Sequence, residues 1–201
     1  MLITFEGIDG SGKSTQIVLL KEKLISSGKK VKVYREPGGT EVSEQIRSLL
    51  LNPEIEIDSI TELLLFSSAR SRLISEKVLP ALERGEIVIL DRFYDSTTAY
   101  QGYGRESLPL DQIQHINEVA SHHKSPDLTF YLRLSLDESN SRRSHLSKDR
   151  MERAGEEFFK KVISGFDELA RNEARFVVID ASKSIDEIHA RILKSIPNMI
   201  L

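Results

Sequence analysis

"FEGIDGSGKSTQ", residues 5–16, sets Gly7, Gly10 and Gly12 just ahead of Lys13 and Ser14. From Gly7 to Ser14 the spacing is G-x-x-x-x-G-K-S. The stretch before it, "LITFE" at 2–6, is apolar and strand-like, and the stretch after it has helical period. A strand, a glycine-rich loop and a helix in that order form the context in which this spacing cradles phosphate. The glycines remove side chains that would block an anion and permit the turns that aim backbone N–H groups inward. The helix beginning near Lys13 then presents its positive dipole end. Lys13 suits the β/γ-phosphates of a nucleoside triphosphate, and the Ser14 hydroxyl suits Mg2+.

Working outward, short β-branched runs recur at 2–6, 31–34, 87–90, 128–134 and 176–180. Helical periods separate them at about 13–27, 42–51, 59–84, 109–122, 136–143, 151–172 and 184–195. Such runs are what a parallel sheet buried between helix layers requires. The fold class is therefore α/β. Gly28 and Gly85 stand where helices end in a left-handed residue, and Pro80 predicts a kink or break within 59–84.

The chain has 201 residues, enough for one well-buried domain. Its apolar runs are too short to span a bilayer, so no membrane is expected. Met1 opens directly into a strand with no charged leader, which predicts no export. The sequence has no cysteine, in keeping with a reducing cytoplasm. A net charge of −3 argues against a surface that coats nucleic acid. Phosphate recognition must then be local.

Three further features bear on the second substrate. "DRFYDSTTAYQG", 91–102, places Asp91 and Arg92 at the end of a buried strand. They read either as a metal-water and phosphate pair or as an ordinary surface ion pair. Phe66 and Arg70 share a helix face, which reads either as a stack-and-hydrogen-bond site for a nucleobase or as a core Phe beside an exposed Arg. Arg142, Arg143, Lys148, Arg150 and Arg153 crowd 141–153, and Arg47 follows "REPGGT" at 35–40. The basic stretch reads either as a solvated face or as a lid that brings arginine to a transferring phosphoryl group. A guanine-nucleotide switch would carry an Asn-Lys-x-Asp segment late in the chain and an Asp-x-x-Gly after a strand, and outside the phosphate loop itself neither is present.

Taken in order, "FEGIDGSGKSTQ", "REPGGT", "LLFSSARSRL", "ILDRFYDSTTAYQG", "DRMER" and "IDASKSIDEIHARI" resemble the bacterial thymidylate kinase family almost end to end. The resemblance implies a three-layer P-loop fold, with a five-stranded parallel sheet between helices and a short mobile lid at about 141–153. It implies one kinase domain over 1–201, ATP and dTMP as substrates, Mg2+ as cofactor, a cytoplasmic location and a homodimer. ATP would be held by Gly7, Ile8, Asp9, Gly10, Ser11, Gly12, Lys13, Ser14 and Thr15, with Ala181 and Ser182 beside adenine. Phe66 would stack on thymine, Arg70 would bond its edge, and Thr97 would meet the ring. Tyr100 and Gln101 would lie near the deoxyribose, Arg92 and Arg47 would grip the dTMP phosphate, and Asp9 would reach the acceptor sugar. Ser14 and Asp91 would hold the metal. Lys13, Asp9, Arg92, Arg143 and Arg150 are the implied catalytic set. The phosphate loop contains no arginine, so the lid must supply one, Arg143 or Arg150 ahead of Arg142 and Arg153. No histidine has a catalytic role.

Overall fold

The computed structural model describes residues 1–144 and 149–196. Five strands, β1 (Leu2–Glu6), β2 (Val31–Arg35), β3 (Ile87–Asp91), β4 (Leu128–Arg133) and β5 (Phe176–Asp180), form one parallel sheet in the order β2-β3-β1-β4-β5. β1 is central and pairs with both β3 and β4, for example Thr4 with Leu90 and with Thr129.

Alternation within the strands explains why helices must cover both sides. Ile3 and Phe5 enter one apolar cluster with Ile87 and Ile89, whereas Leu2 enters another with Val88 and Leu90. Successive side chains of a strand point to opposite faces. Both faces are therefore buried, and each fully buried Leu or Ile stabilises the fold by about 1.5–3 kcal/mol. Helix α1 (Lys13–Ser26) packs on β1, β2 and β3 and on the last helix, α9 (Ile185–Ser195). Ser184 closes the start of α9 in a capping box with Glu187. Between β2 and β3 run α2 (Glu41–Leu51), α3 (Ser59–Leu73) and the short α4 (Leu79–Glu83).

The break expected at Pro80 takes a milder form. A π-helical turn, Ile74–Val78, joins α3 to α4, and the Leu79 N–H reaches back to Ile74 O. Proline has no N–H to give, and the shifted ladder absorbs that loss without stopping the helix. Gly28 and Gly85 do take left-handed conformations, with φ of 79° and 73°.

Two expectations need correction. Residues 94–104, for which no helix was expected, form α5 (Tyr94–Thr97) continued by a π-helical segment, Thr98–Gly104. After α6 (Leu110–Ala120) and α7 (Leu136–Arg143), the helix expected over 151–172 divides. A 3-10 turn, Glu152–Ala154, stops at Gly155 with φ of 91°, and α8 (Glu156–Asn172) begins beyond it. The stretch 141–153 is accordingly mixed: it opens with the last turn of α7 and ends in the 3-10 turn. His145 and Lys148 of the lid segment lie outside the described residues.

Candidate active site

The site lies at the C-terminal edge of the sheet, where ligands of open α/β sheets gather. Gly7 leaves β1 with φ of 134°, and a Cβ there would sit 2.5 Å from Leu132 O. Only glycine fits. Lys13 Nζ turns back over the loop and donates to Gly7 O at 3.0 Å and Ile8 O at 3.2 Å. No side chain caps the start of α1, so its first N–H groups stay open to an anion. Ser11 Oγ is buried in the loop without a partner among the described residues. The Ser14 hydroxyl donates to Asp91 Oδ2 at 3.3 Å, which sets two hard oxygen ligands side by side. Lys13, Ser14, Thr15, Asp91 and Arg143, among others, line a cleft of about 600 Å³.

Arg92 follows β3 in the left-handed region, φ 70°. Its N–H bonds Phe5 O at 2.9 Å, and Nη2 donates to Asp9 Oδ1 at 2.8 Å. The guanidinium also lies over the Tyr100 ring, 5.1 Å from its centre. Burial alone would raise the Asp9 carboxyl, yet Arg92, Lys13 and Arg143 together hold it well below the usual carboxylate range. Burial pushes Lys13 down, with Arg92 adding to it.

Beneath Arg92 sits Glu6, fully buried, which accepts from Phe93 N at 2.8 Å and Ser96 Oγ at 2.6 Å. It fixes the turn that carries Arg92. Burial, with Asp95 nearby, pushes its carboxyl up to about 8. A charged residue closing a buried strand was the available signal for Glu6.

A second pocket opens beside the first, lined by Phe66, Arg70, Thr97, Tyr100, Gln101 and Met151 among others, with Asp9, Arg47 and Arg92 at its junction with the cleft. Arg70 is 2% exposed, which removes the exposed-arginine reading. Nε donates to Glu36 Oε2 at 2.8 Å, Nη2 to Thr97 Oγ1 at 2.8 Å, and Nη1 to Asn117 Oδ1 at 3.2 Å. Arg47 donates to Pro37 O at 3.0 Å. Glu36, within "REPGGT", was not singled out by its motif. Its other oxygen is buried without a partner among the described residues, and burial pushes the carboxyl up to about 7 against the pull of Arg70.

The two leading lid arginines part company. Arg143 lies along Gly10, with Nη1 3.9 Å from Asp9 Oδ2. Arg142 ties the loop to the end of β5, donating to Gly10 O at 3.0 Å and Ala181 O at 2.8 Å. Ser182 follows Ala181 in that exposed turn and bonds Asp180. Arg150 instead pairs with Glu62 Oε2 at 2.6 Å and donates to Leu50 O at 2.7 Å. In this structure Arg150 is held at the second pocket's side rather than over the phosphate loop.

A phosphate loop that opens directly onto a second, arginine-lined pocket with an aromatic wall defines a P-loop phosphotransferase. The model of the family described as thymidylate kinase matches residues 5–192. The chain belongs to the thymidylate kinase family. It is 50% identical over 207 residues to the thymidylate kinase of Chlorobaculum parvum, covering 98% of this chain and 95% of that protein. It is 44% identical over 192 residues to that of a Thermoanaerobacter species, covering 95% and 94%. The crystal structure of thymidylate kinase from Ehrlichia chaffeensis superposes with a TM-score of 0.77 at 36% identity, covering 96% of this chain and 97% of that one.

Proposed function

We propose that the chain transfers the γ-phosphoryl group of ATP to a phosphate oxygen of dTMP, giving dTDP and ADP for dTTP synthesis. The observation that carries this reading is the junction: Asp9, Arg92 and Arg47 line both the phosphate cleft and the base pocket. A donor phosphate on one side thereby meets an acceptor phosphate on the other. The acceptor is already an anion, so positioning and charge neutralisation carry the rate and no strong base is needed.

Lys13 and the α1 N-terminus hold the ATP phosphates, and Ala181 and Ser182 border adenine. Arg92 and Arg47 hold the dTMP phosphate, with Arg92 aimed by Asp9. Arg143 is the lid arginine nearest the phosphate loop and is assigned to the transferring group. Ser14 and Asp91 suit Mg2+, which when bound neutralises charge on the β- and γ-oxygens. Phe66 stacks on the base and Arg70 bonds its edge. The chain is assigned as one kinase domain with a lid at 141–153, working in the cytoplasm as a homodimer. Among the described residues no helix is long and apolar enough to cross a membrane.

The test is ADP release with ATP, Mg2+ and either dTMP or dUMP, beside Lys13→Ala. Turnover that requires dTMP and falls by a factor on the order of 10²–10³ in the variant is expected. Equal turnover of several nucleoside monophosphates would remove the thymine assignment. Nucleotide hydrolysis without transfer would point to a switch.

A further inference from the structure

One buried acid in α3 joins Gln101, which lines the base pocket, to Arg150 at the far end of the lid. Glu62 is 1% exposed; its Oε1 accepts from Gln101 Nε2 at 2.9 Å and Arg105 Nε at 3.2 Å, and its Oε2 pairs with Arg150 Nη1 at 2.6 Å. Glu62, Phe66 and Arg70 are spaced four residues apart and so form one stripe of the helix. Gln101 meets that stripe at Glu62, Thr97 meets it at Arg70, and Phe66 lies between. Phe66 and Gln101 line one pocket, and in the dTMP reading a base stacked on Phe66 turns an edge towards Gln101.

An amide has one donor end and one acceptor end, and a carboxylate can only accept. Bonding to Glu62 thus settles which end Gln101 shows the pocket. We propose that Glu62 is a positioning residue that locks the Gln101 carbonyl towards the base, where it accepts from a ring N–H, and anchors the C-terminal root of the lid through Arg150. This rests on the dTMP reading. Thymine carries a hydrogen on its N3, whereas cytosine offers a lone pair there, so the locked carbonyl favours one and repels the other. Arg150 is a strut in this arrangement, and Arg143 alone of the two leading lid arginines faces the phosphates.

Glu62→Gln is the discriminating change. Arg150 and Arg105 Nη2 sit on the Oε2 side, so the new amide oxygen settles there. Its NH₂ takes the Oε1 place facing Gln101, Arg105 Nε gives up its bond at that place, and Gln101 reverses to bond the NH₂. The pocket then presents a donor. The expected result is a KM for dTMP raised by about tenfold with the KM for ATP unchanged, and a kcat/KM ratio for dCMP over dTMP raised by about tenfold or more. A merely structural role would lower both substrates together and leave that ratio alone. An unchanged ratio in a folded variant overturns the proposal. Absence of dTMP turnover in the unmodified enzyme overturns the function assignment instead. If Glu62→Gln fails to fold by thermal melting, Arg150→Met decides. A raised KM for dTMP with kcat within about threefold supports the strut. A kcat loss of about a hundredfold at unchanged KM makes Arg150 catalytic and overturns it.

Discussion

Glu36 shows how much a single buried carboxyl can carry. Its ordinary value of 4.5 rises to about 7 in the folded chain because burial disfavours the charge more than Arg70 restores it. The folded state therefore holds a proton that the unfolded state releases. That contribution to stability is fully present below 4.5 and is lost as pH rises through about 7. Its slope is at most about 1.4 kcal/mol per pH unit. Glu6, pushed up to about 8, adds a second slope of the same sign. Denaturant unfolding from about pH 5 to about pH 8 should show stability falling with pH, and Glu36→Gln should make the fall shallower. An unaltered slope in the variant would show that Glu36 is ionised throughout. At this scale the sequence was legible where function is local. Lys13, Ser14 and the glycines declare themselves by spacing alone. Arg70 did not, because an arginine four residues after a Phe is exposed by default. Only the acceptors at 36, 97 and 117, distant in sequence, allow its burial.

At the scale of elements, the strands and most helices follow from apolar period, and their bounds fall within a few residues of those expected. The segment 94–104 was missed for a physical reason. Adjacent Thr97 and Thr98 and the glycines 102 and 104 weaken helix propensity, and tertiary packing overrides them. Tyr100 is buried against Phe158 and Phe166, and Gly104 brings its backbone against α8. A Cβ on Gly104 would lie 2.6 Å from Phe158 Cε2 and 2.9 Å from Val162 Cγ2. Gly104→Ala gains helix propensity but overpacks a buried contact, so a net loss of about 1–3 kcal/mol is expected in urea unfolding. A neutral or stabilising result would mean that the segment can lift from α8 at little cost. The division at Gly155 has a local cause instead: its φ of 91° lies outside helical backbone, and a Cβ there would meet no neighbour within 4 Å.

Across the whole molecule, fold and candidate site were legible together because the strand–loop–helix of 2–26 is at once a folding unit and the proposed phosphate-binding unit. Assembly was not legible, since no motif announces it. Val42 and Leu49, seven apart on α2, and Ile60 and Leu64, four apart on α3, are exposed large apolar residues on two helices that pack together. Large apolar residues left exposed on two neighbouring helices suit a partner surface, and they support the proposed homodimer. Leu64→Glu should shift the sedimentation coefficient to that of a monomer while leaving far-UV circular dichroism unchanged. An unmodified chain that sediments as a monomer at micromolar concentration would remove the dimer.

Lys13 gives the phosphate loop one further property. With its ammonium group resting on two carbonyls of the loop itself, the loop is wound around an internal spindle. The entropy of shaping it is lost when the chain folds, so in the proposed function a triphosphate need only take the place of those carbonyls on the ammonium group. Such a loop acts as a rigid die that casts its ligand, and the movement needed for turnover is left to other parts of the chain.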